Sequence, residues 1–291
     1  MAEGAADHVR EVDRRGLVRL AYRLLGSVED AEDVVQDAHL RLLAGGHAPD
    51  DPGAYLFRAV THLAIDRLRH LKVQRRAYTG PWLPEPIDTA DFDAASEVER
   101  RQDLGLGMLL LLERLSVGER VAFVLREAFE LDFRTMSQLL DVRVEACRQR
   151  YHRARRKLQG DQVRPTPTGV QRRLLEDLSE AVLAGDRARL TALLADDAVM
   201  LTDGGGRVSA AIVPVETPGR IAQVLLHLAS RQDPATLTFE WRRLNGGVGL
   251  LIRQRGEPFA CVQAAAQEDE AGAERAVRIY VVRNPDKLAR L

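Results

Sequence analysis

Residues 26–43 read GSVEDAEDVVQDAHLRLL, and the phase of these side chains decides how the chain is organised. Ser27 followed three residues later by Asp30 is a helix-start pattern, since each side chain can satisfy a backbone N–H that the first turn leaves without a partner. Ala31, Val34, Val35, Ala38 and Leu42 then recur at helical spacing as one apolar stripe. Glu29, Glu32, Asp33, Gln36 and Asp37 follow the same period, displaced by about half a turn at roughly 100° per residue. One face is core and the opposite face is nearly all acid. Such a face repels DNA phosphate, so it is either a solvated surface or a docking face for a basic protein.

The chain has 291 residues, long enough for two or three domains, with 42 Lys+Arg against 43 Asp+Glu. This near-neutrality hides a polar distribution. Acid gathers over residues 29–37 and base over 67–76 and 148–157, and it is the local fields that bear on partners. Cys147 and Cys261 lie far apart, without metal-ligand spacing or a disulfide framework, so no metal or cofactor is expected and a reducing cytoplasm fits. The N-terminal MAEGAADHVREVDRR has no apolar signal core, and no later run approaches membrane-spanning length. The expectation is a soluble cytoplasmic protein with no membrane contact.

Residues 8–76 read as helices throughout. Residues 17–25 are amphipathic, Gly26 punctuates, and the acidic helix follows. A breaker-rich loop spans 45–53, with Asp51 before Pro52 as a helix entry. Residues 54–69 are then helical, with Leu56, Ala59, Val60, Leu63, Ile65 and Leu68 as apolar members and a basic end of Arg67, Arg69, Lys72, Arg75 and Arg76. Prolines and acids over 77–96 mark a linker. A second helical unit spans 97–160. Ser116 and Glu119 form a capping box for a helix to about residue 131. A short helix over 133–140, a tight turn at Asp141-Val142 and a longer helix over 144–158 make a helix-turn-helix.

A proline-containing break over 161–168 introduces a different texture. Helices are expected at 170–184, 189–194 and 221–231. Strands are expected at 198–201, 208–213, 237–244, 248–254, 259–265 and 276–282, separated by good turn chemistry. Residues 169–291 therefore read as an α+β domain of helices packed on a curved antiparallel sheet.

The 144–158 helix carries the clearest chemistry. Cys147, Tyr151, Ala154 and Leu158 fall on one face and fix its buried side. Glu145, Arg148, Gln149, His152, Arg153 and Arg156 face away. Arg and Gln pair bidentately with guanine and adenine in the major groove, and further arginines grip phosphate. The basic end over 67–76 either satisfies a helix dipole or contacts phosphates, with Thr61 and His62 offering side chains to bases. Tyr55 and Phe57 are either stacking platforms for unpaired bases or core.

Residues 8–160 resemble a bacterial extracytoplasmic-function sigma factor, with region 2 and region 4 domains. The resemblance lies in LGSVEDAEDVVQDAHLRLL, AYLFRAVTHLAIDRLR and LDFRTMSQLLDVRVEACRQRYHRARRKL, three segments in family order and at family spacing. It implies that Glu29, Glu32, Asp33, Gln36, Asp37 and Arg41 grip the β′ clamp helices of core RNA polymerase, which also offers its β flap. It implies that Arg58, Thr61, His62, Asp66, Arg67 and Arg69 read and open the minus-10 element of promoter DNA. Arg143, Glu145, Arg148, Gln149, His152, Arg153 and Arg156 would read the minus-35 element. His39 stands where the family usually has Trp, Thr61-His62 where Arg-Asn is common, and Arg143 where a Ser usually caps the recognition helix.

The linker segment GPWLPEPI at 80–87 resembles the hallmark of the subfamily, of the mycobacterial sigma factor J type, that carries a C-terminal SnoaL-like extension. Asp203-Gly204-Gly205-Gly206-Arg207 and Asn284-Pro285-Asp286-Lys287-Leu288 match the two motifs of that extension. The implied architecture is two all-α sigma domains followed by an α+β SnoaL-like, cystatin-like cone. Trp82 with Pro84, Glu85 and Pro86 forms a rigid extended segment with an aromatic anchor, built to dock. The implied function is promoter-specific initiation regulated in cis through intramolecular contact between the C-terminal and sigma domains. Two alternatives stand beside it. One is a DNA-binding regulator with a ligand-sensing domain. The other is a fused enzyme, with Asp203 and Tyr280 cast as base and oxyanion donor, although Asp in a Gly-rich turn is expected for backbone reasons alone.

Overall fold

The computed structural model describes residues 13–44, 49–88, 105–159, 166–269 and 272–291. Residues 8–12, the linker beyond 88, the start of the second helical unit at 97–104 and most of the 161–168 break lie outside the described residues. The chain divides into two compact units. Among the described residues the first holds 13–77 and 108–159, and the second holds 78–88, 105–107 and 166–291.

The first unit is helical. Asp13 caps α1 (Arg14–Leu25), accepting from the Gly16 N–H at 2.8 Å, and Gly26 ends it at φ +74°. Leu17, Leu20, Leu24 and Leu25 bury almost completely against α2 (Val28–Ala44) and α3 (Pro52–Gln74). Asp51 caps α3 at 2.9 Å. This helix and the 3-10 turn Arg75–Ala77 run past the expected end at residue 69. The reason is tertiary: the basic end finds carbonyl and carboxylate partners in the second helical half, described below.

That half comprises α4 (Leu106–Leu112), α5 (Val117–Glu127), α6 (Phe133–Leu140) and α7 (Val144–Leu158). Ser116 and Glu119 form both halves of the expected capping box. α5 stops at Glu127 rather than near 131, because Glu130 turns to φ +52° and the Leu131 N–H returns to the Leu125 carbonyl at 3.1 Å. Asp132 caps α6 at 2.7 Å, and Asp141 leaves it in the left-handed region at φ +50°. The Ser137 hydroxyl then donates to the Val142 carbonyl at 2.7 Å, closing the tight turn before α7.

The second unit packs α8 (Thr168–Leu183), α9 (Arg187–Ala192) and α10 (Pro218–Ser230) on one face of a six-stranded sheet of order β2-β1-β6-β5-β4-β3. The strands are β1 (Leu194–Asp203), β2 (Val215–Glu216), β3 (Leu237–Leu244), β4 (Gly247–Gln254), β5 (Glu257–Glu268) and β6 (Glu274–Val282). Leu174, Leu178, Ala181, Leu190 and Ile221 meet Ala198, Met200, Ala260, Ala264, Ile279 and Val281 in the core between the layers. A one-turn helix, α11 (Pro285–Leu288), follows β6 where composition reads as a turn.

Two expectations are corrected. The sheet is mixed, because β1 pairs with β6 in parallel while the other pairs are antiparallel. Those two strands are separated by nearly the whole domain, so their relative direction follows the tertiary path of the chain. Residues 208–213 are not a strand. Thr202 intercepts this segment, its hydroxyl donating to the Ala211 carbonyl at 3.1 Å and accepting from the Ala211 N–H at 2.7 Å. Ile212 and Val213 stay 69% and 63% exposed, so their β-branched pattern has no face to pack on.

Candidate functional site

On α2 the expected division holds. Val28, Ala31, Val34, Val35 and Ala38 are buried, while Glu29, Asp33, Gln36, Asp37 and Arg41 are exposed and Glu32 is half-buried. Leu40 and Leu43 are exposed at its C-terminal end, so the acidic face ends beside apolar surface. Ser27 Oγ accepts from the Asp30 N–H at 3.3 Å, the first half of the expected cap. The Asp30 carboxylate turns to α3 instead, where Arg67 Nε donates to it at 2.6 Å. His39 Nδ1 lies 2.8 Å from the Val35 carbonyl of its own helix.

On α3 the minus-10 candidates separate into different environments. Arg58, His62, Asp66, Arg67 and Arg69 are exposed. Thr61 is a correction: it is fully buried, and its hydroxyl donates to the Phe57 carbonyl at 2.7 Å, so it offers nothing to a base. Asp66 and Arg69 pair at 2.6 Å in solvent, and Arg67 is engaged by Asp30. His62 Nε2 lies 2.9 Å from the Leu139 carbonyl, at the end of α6. Phe57 is core, edge-to-face with Phe129 at 5.7 Å between centroids, whereas Tyr55 remains exposed.

On α7, Cys147, Tyr151, Ala154 and Leu158 are the buried residues, as their spacing predicts. Arg143, Glu145, Arg148, Gln149, His152, Arg153 and Arg156 are all exposed, on a helix that begins directly after a tight turn. Arg143 stands at the N-cap without a side-chain hydrogen bond, a loss of about 1 kcal/mol against a capping residue. Phe133 supports the start of the helix, with the Arg148 guanidinium 5.5 Å from its ring centroid. At the other end Lys157 donates to Glu119 at 2.8 Å. Burial works against the Glu119 carboxylate, but hydrogen bonds from Lys157 and Ser116 outweigh it and hold its pKa at about 2.

A second cluster escaped sequence reasoning. Glu113 accepts from Arg75 at 2.7 Å and from Arg120, and Arg120 is fully buried. The available signal was phase: Arg120 falls in register with Phe123 and Val124 on the apolar side of α5, where a charge needs a partner.

In the second unit the linker residues 78–88 lie on the α+β domain. Leu83, Pro84, Glu85 and Pro86 are buried and Trp82 is half-buried. Asp203, fully buried at the end of β1, receives them. Its Oδ1 accepts from the Tyr78 hydroxyl at 2.6 Å and the Gly205 N–H at 3.0 Å. Its Oδ2 accepts from the Leu83 N–H at 2.8 Å and Lys287 Nζ at 2.6 Å. Lys287 also donates to the Leu83 carbonyl and sits 4.3 Å from the Trp82 ring centroid. Burial and then the hydrogen bond to Asp203 push the Tyr78 hydroxyl pKa well above its ordinary value.

The two motifs meet at this carboxylate. Asn284 caps α11 through the Asp286 N–H at 3.2 Å and donates to the Tyr78 hydroxyl at 3.1 Å. Gly205 has φ +62°, and a Cβ there would stand 2.4 Å from Asn284 Nδ2; on Gly204 it would stand 2.5 Å from the Val208 carbonyl. Gly206 also takes positive φ, at +71°. Arg207 pairs with Asp286 at 3.0 Å in solvent, Pro285 opens α11, and Leu288 plugs into the domain at 1% exposure. Further along, Ile87 and Asn245 exchange backbone and side-chain hydrogen bonds, and Asp88 bridges to Leu244. Tyr78 and Asn245 were missed from sequence, since one reads as linker and the other as a turn residue.

Asp203 and Tyr280 are not placed as a base and an oxyanion donor. Four donors already fill the Asp203 carboxylate. The Tyr280 hydroxyl, its pKa pushed up to about 12 by burial, abuts Gly107, where an added Cβ would stand 2.7 Å from it. Among the described residues no group of His, Cys, Asp and Glu is arranged to hold a metal ion, and no helix is long and apolar enough to cross a membrane.

Residues 11–73, which hold α1, α2 and all but the last residue of α3, match the Sigma-70 region 2 family, and residues 106–158, which span α4–α7, match the Sigma-70, region 4 family. The ECF RNA polymerase sigma factor SigJ of Mycobacterium tuberculosis is 34% identical over 228 residues, covering 77% of this chain and 73% of the relative. The probable ECF RNA polymerase sigma factor SigI of the same species is 30% identical over 254 residues, covering 82% and 86%. The crystal structure of M. tuberculosis SigJ superposes with a TM-score of 0.72 at 27% identity over 96% of each chain, so the likeness extends through the α+β domain.

Proposed function

The chain belongs to the extracytoplasmic-function RNA polymerase sigma factors, which direct transcription initiation, and we propose that its C-terminal domain regulates that activity in cis by clasping the linker. The carrying observation is the fully buried Asp203, which takes the Tyr78 hydroxyl, the Leu83 N–H and Lys287 together. Residues 78–88 leave region 2 and residues 105–107 enter region 4. Both stretches group with the C-terminal domain, the first at Asp203 and Asn245, the second at Tyr280. The clasp thereby limits how far the two DNA readers can separate. Tethering supports this economy of contact, since short linkers raise effective concentration to about the millimolar range.

In this reading Glu29, Glu32, Asp33, Gln36, Asp37 and Arg41 dock on the β′ clamp helices of core polymerase, with Leu40 and Leu43 adding apolar contact. Region 4 presents Arg143, Glu145, Arg148, Gln149, His152, Arg153 and Arg156 to the minus-35 element and approaches the β flap. Arg58, His62, Asp66, Arg67 and Arg69 serve the minus-10 element, with Thr61 positioning the helix rather than reading. The protein works in the cytoplasm with polymerase, and the C-terminal domain is a regulatory surface without a catalytic role.

Run-off transcription tests the regulation. Full-length protein and a chain ending near residue 168 should differ in output at the cognate promoter, and Lys287→Ala should move output in the same direction as truncation. Equal output from all three, with each folded, overturns the proposal. Charge reversal at Glu32, Asp33 and Asp37 should abolish co-purification with core polymerase, and survival of binding refutes the acidic-face assignment.

A further inference from the structure

Part of the basic end of α3 turns inward: Lys72 and Arg75 are half-buried, while Arg67, Arg69 and Arg76 are exposed. Lys72 Nζ donates to the Glu113 carbonyl at 3.1 Å and to the Leu115 carbonyl. Arg75 donates to the Glu113 carboxylate at 2.7 Å and to the Leu25 carbonyl. Arg120, fully buried on α5, reaches the same carboxylate oxygen and lies 3.4 Å from the Arg23 carbonyl. Its Nε has no hydrogen-bond partner among the described residues. Lys72 and Arg75 come from region 2, while Glu113 and Arg120 come from region 4.

Two guanidiniums thus share one carboxylate, with Lys72 on the main-chain carbonyl of the same residue, in a largely buried interface. Burial lowers the Lys72 ammonium pKa, and Arg120 and Arg75 add to this against the pull of Glu113. The attraction within a buried ion pair is largely offset by desolvation of its members, so the closed state gains little from it even with Asp30 and Glu119 adding negative charge near Arg75 and Lys72. Separation would hydrate all four. The same closure sets the His62 ring against the Leu139 carbonyl and Phe57 against Phe129, so one ring nitrogen of a minus-10 candidate is engaged while the halves are together.

We propose that this cluster is a latch between regions 2 and 4, and that DNA phosphate is what replaces Glu113 on Lys72 and Arg75 when it opens. Cations released from a carboxylate and from main-chain carbonyls at the end of a DNA-reading helix are suited to phosphate, which carries the sequence-independent part of promoter affinity. The latch lies within the sigma domains and is distinct from the Asp203 clasp. It rests on the assignment of regions 2 and 4 as the two DNA readers.

The test uses the full chain with spin labels on Ala44→Cys and Gln159→Cys, both exposed positions; the native Cys147 and Cys261 are buried. Without DNA the parent should give one short inter-label distance. Glu113→Gln, which removes the counter-charge, should add a longer population. It should also bind a promoter duplex at least about tenfold more tightly at fixed salt, because apparent affinity scales with the open fraction. Circular dichroism verifies that the variant keeps its helix content, and the reciprocal swap Arg75→Glu with Glu113→Arg should restore the short distance. A single unchanged distance in a folded Glu113→Gln protein overturns the latch. A longer distance without tighter DNA binding overturns the exchange with phosphate. Because the distances are read without DNA, failure of the latch is distinguishable from failure of the promoter-reading assignment.

Discussion

Asp203, fully buried, and Glu113, half-buried, are carboxylates that join segments far apart in the chain, yet they differ in the kind of donor around them. Asp203 receives four hydrogen bonds, from two backbone N–H groups, one hydroxyl and one lysine, so a single positive charge meets a single negative one. Glu113 is gripped by two guanidiniums, with Lys72 on its main-chain carbonyl, so its partners are charged side chains rather than backbone groups. A fully buried, saturated carboxylate makes a closed state costly to leave. A half-buried one held by charged side chains makes closure conditional, because water or another anion competes for those cations. The lesson is that a contact between charges does not by itself indicate permanence; the depth of burial and the kind of donor do.

The largest effect that separates the two is expected from Asp203→Ala. It takes from Lys287 and three other donors the carboxylate they share, and loss of one member of a buried pair costs about 3–5 kcal/mol. Denaturant unfolding of the C-terminal domain should report it, together with rapid proteolysis of the linker near Trp82. Glu113→Gln should cost the sigma unit less, about 1–3 kcal/mol, because its cations escape to solvent when the halves part. A loss equal to that of Asp203→Ala would erase the contrast between clasp and latch.

Tyr78→Phe sharpens the clasp further. It removes one donor to Asp203 and one acceptor for Asn284, a loss of about 1 kcal/mol by the same unfolding measurement. pH should act on the clasp with a definite sign. The Tyr78 pKa is raised in the folded protein, so its contribution is fully present below the ordinary tyrosine range near 10 and is lost as pH rises through the higher folded value. Linker proteolysis at alkaline pH should therefore accelerate in the parent and not in Tyr78→Phe. Glu119 has the opposite sign. Its pKa of about 2 means that its contribution is present above the ordinary carboxylate range and lost as pH falls through that value, and Glu119→Gln should raise the pH of acid unfolding of the first unit. The smallest effect belongs to Arg69→Ala, whose exposed pair with Asp66 is worth about 0–1 kcal/mol. Its stability should hardly change while promoter affinity falls.

Much of the fold was legible because it is local. The bounds of α6 and α7, the Ser116–Glu119 box and the buried set Cys147, Tyr151, Ala154 and Leu158 follow from periodicity and capping within one or two turns. The strand signal over 208–213 misled for the same reason: Ile212 and Val213 carry the right side chains, but Thr202 claims the backbone that a ladder would need. Thr61 was misjudged because helical phase near a boundary does not say which neighbour covers it.

The sequence by itself determined the helical sigma portion, the acidic and cationic faces, the α+β character of the remainder and the family, since each is written in spacing or in contiguous motifs. Only the tertiary structure decided the parallel pairing of β1 with β6, the meeting of Tyr78 and Lys287 at Asp203, and the sharing of Glu113 by Arg75 and Arg120. Those contacts join residues 38 to 125 positions apart, except for Glu113 with Arg120, which are 7 apart yet share a site completed by Arg75. Periodicity states which way a side chain faces; it carries no information about which distant group waits there, and for a buried charge that group determines whether the contact holds or yields.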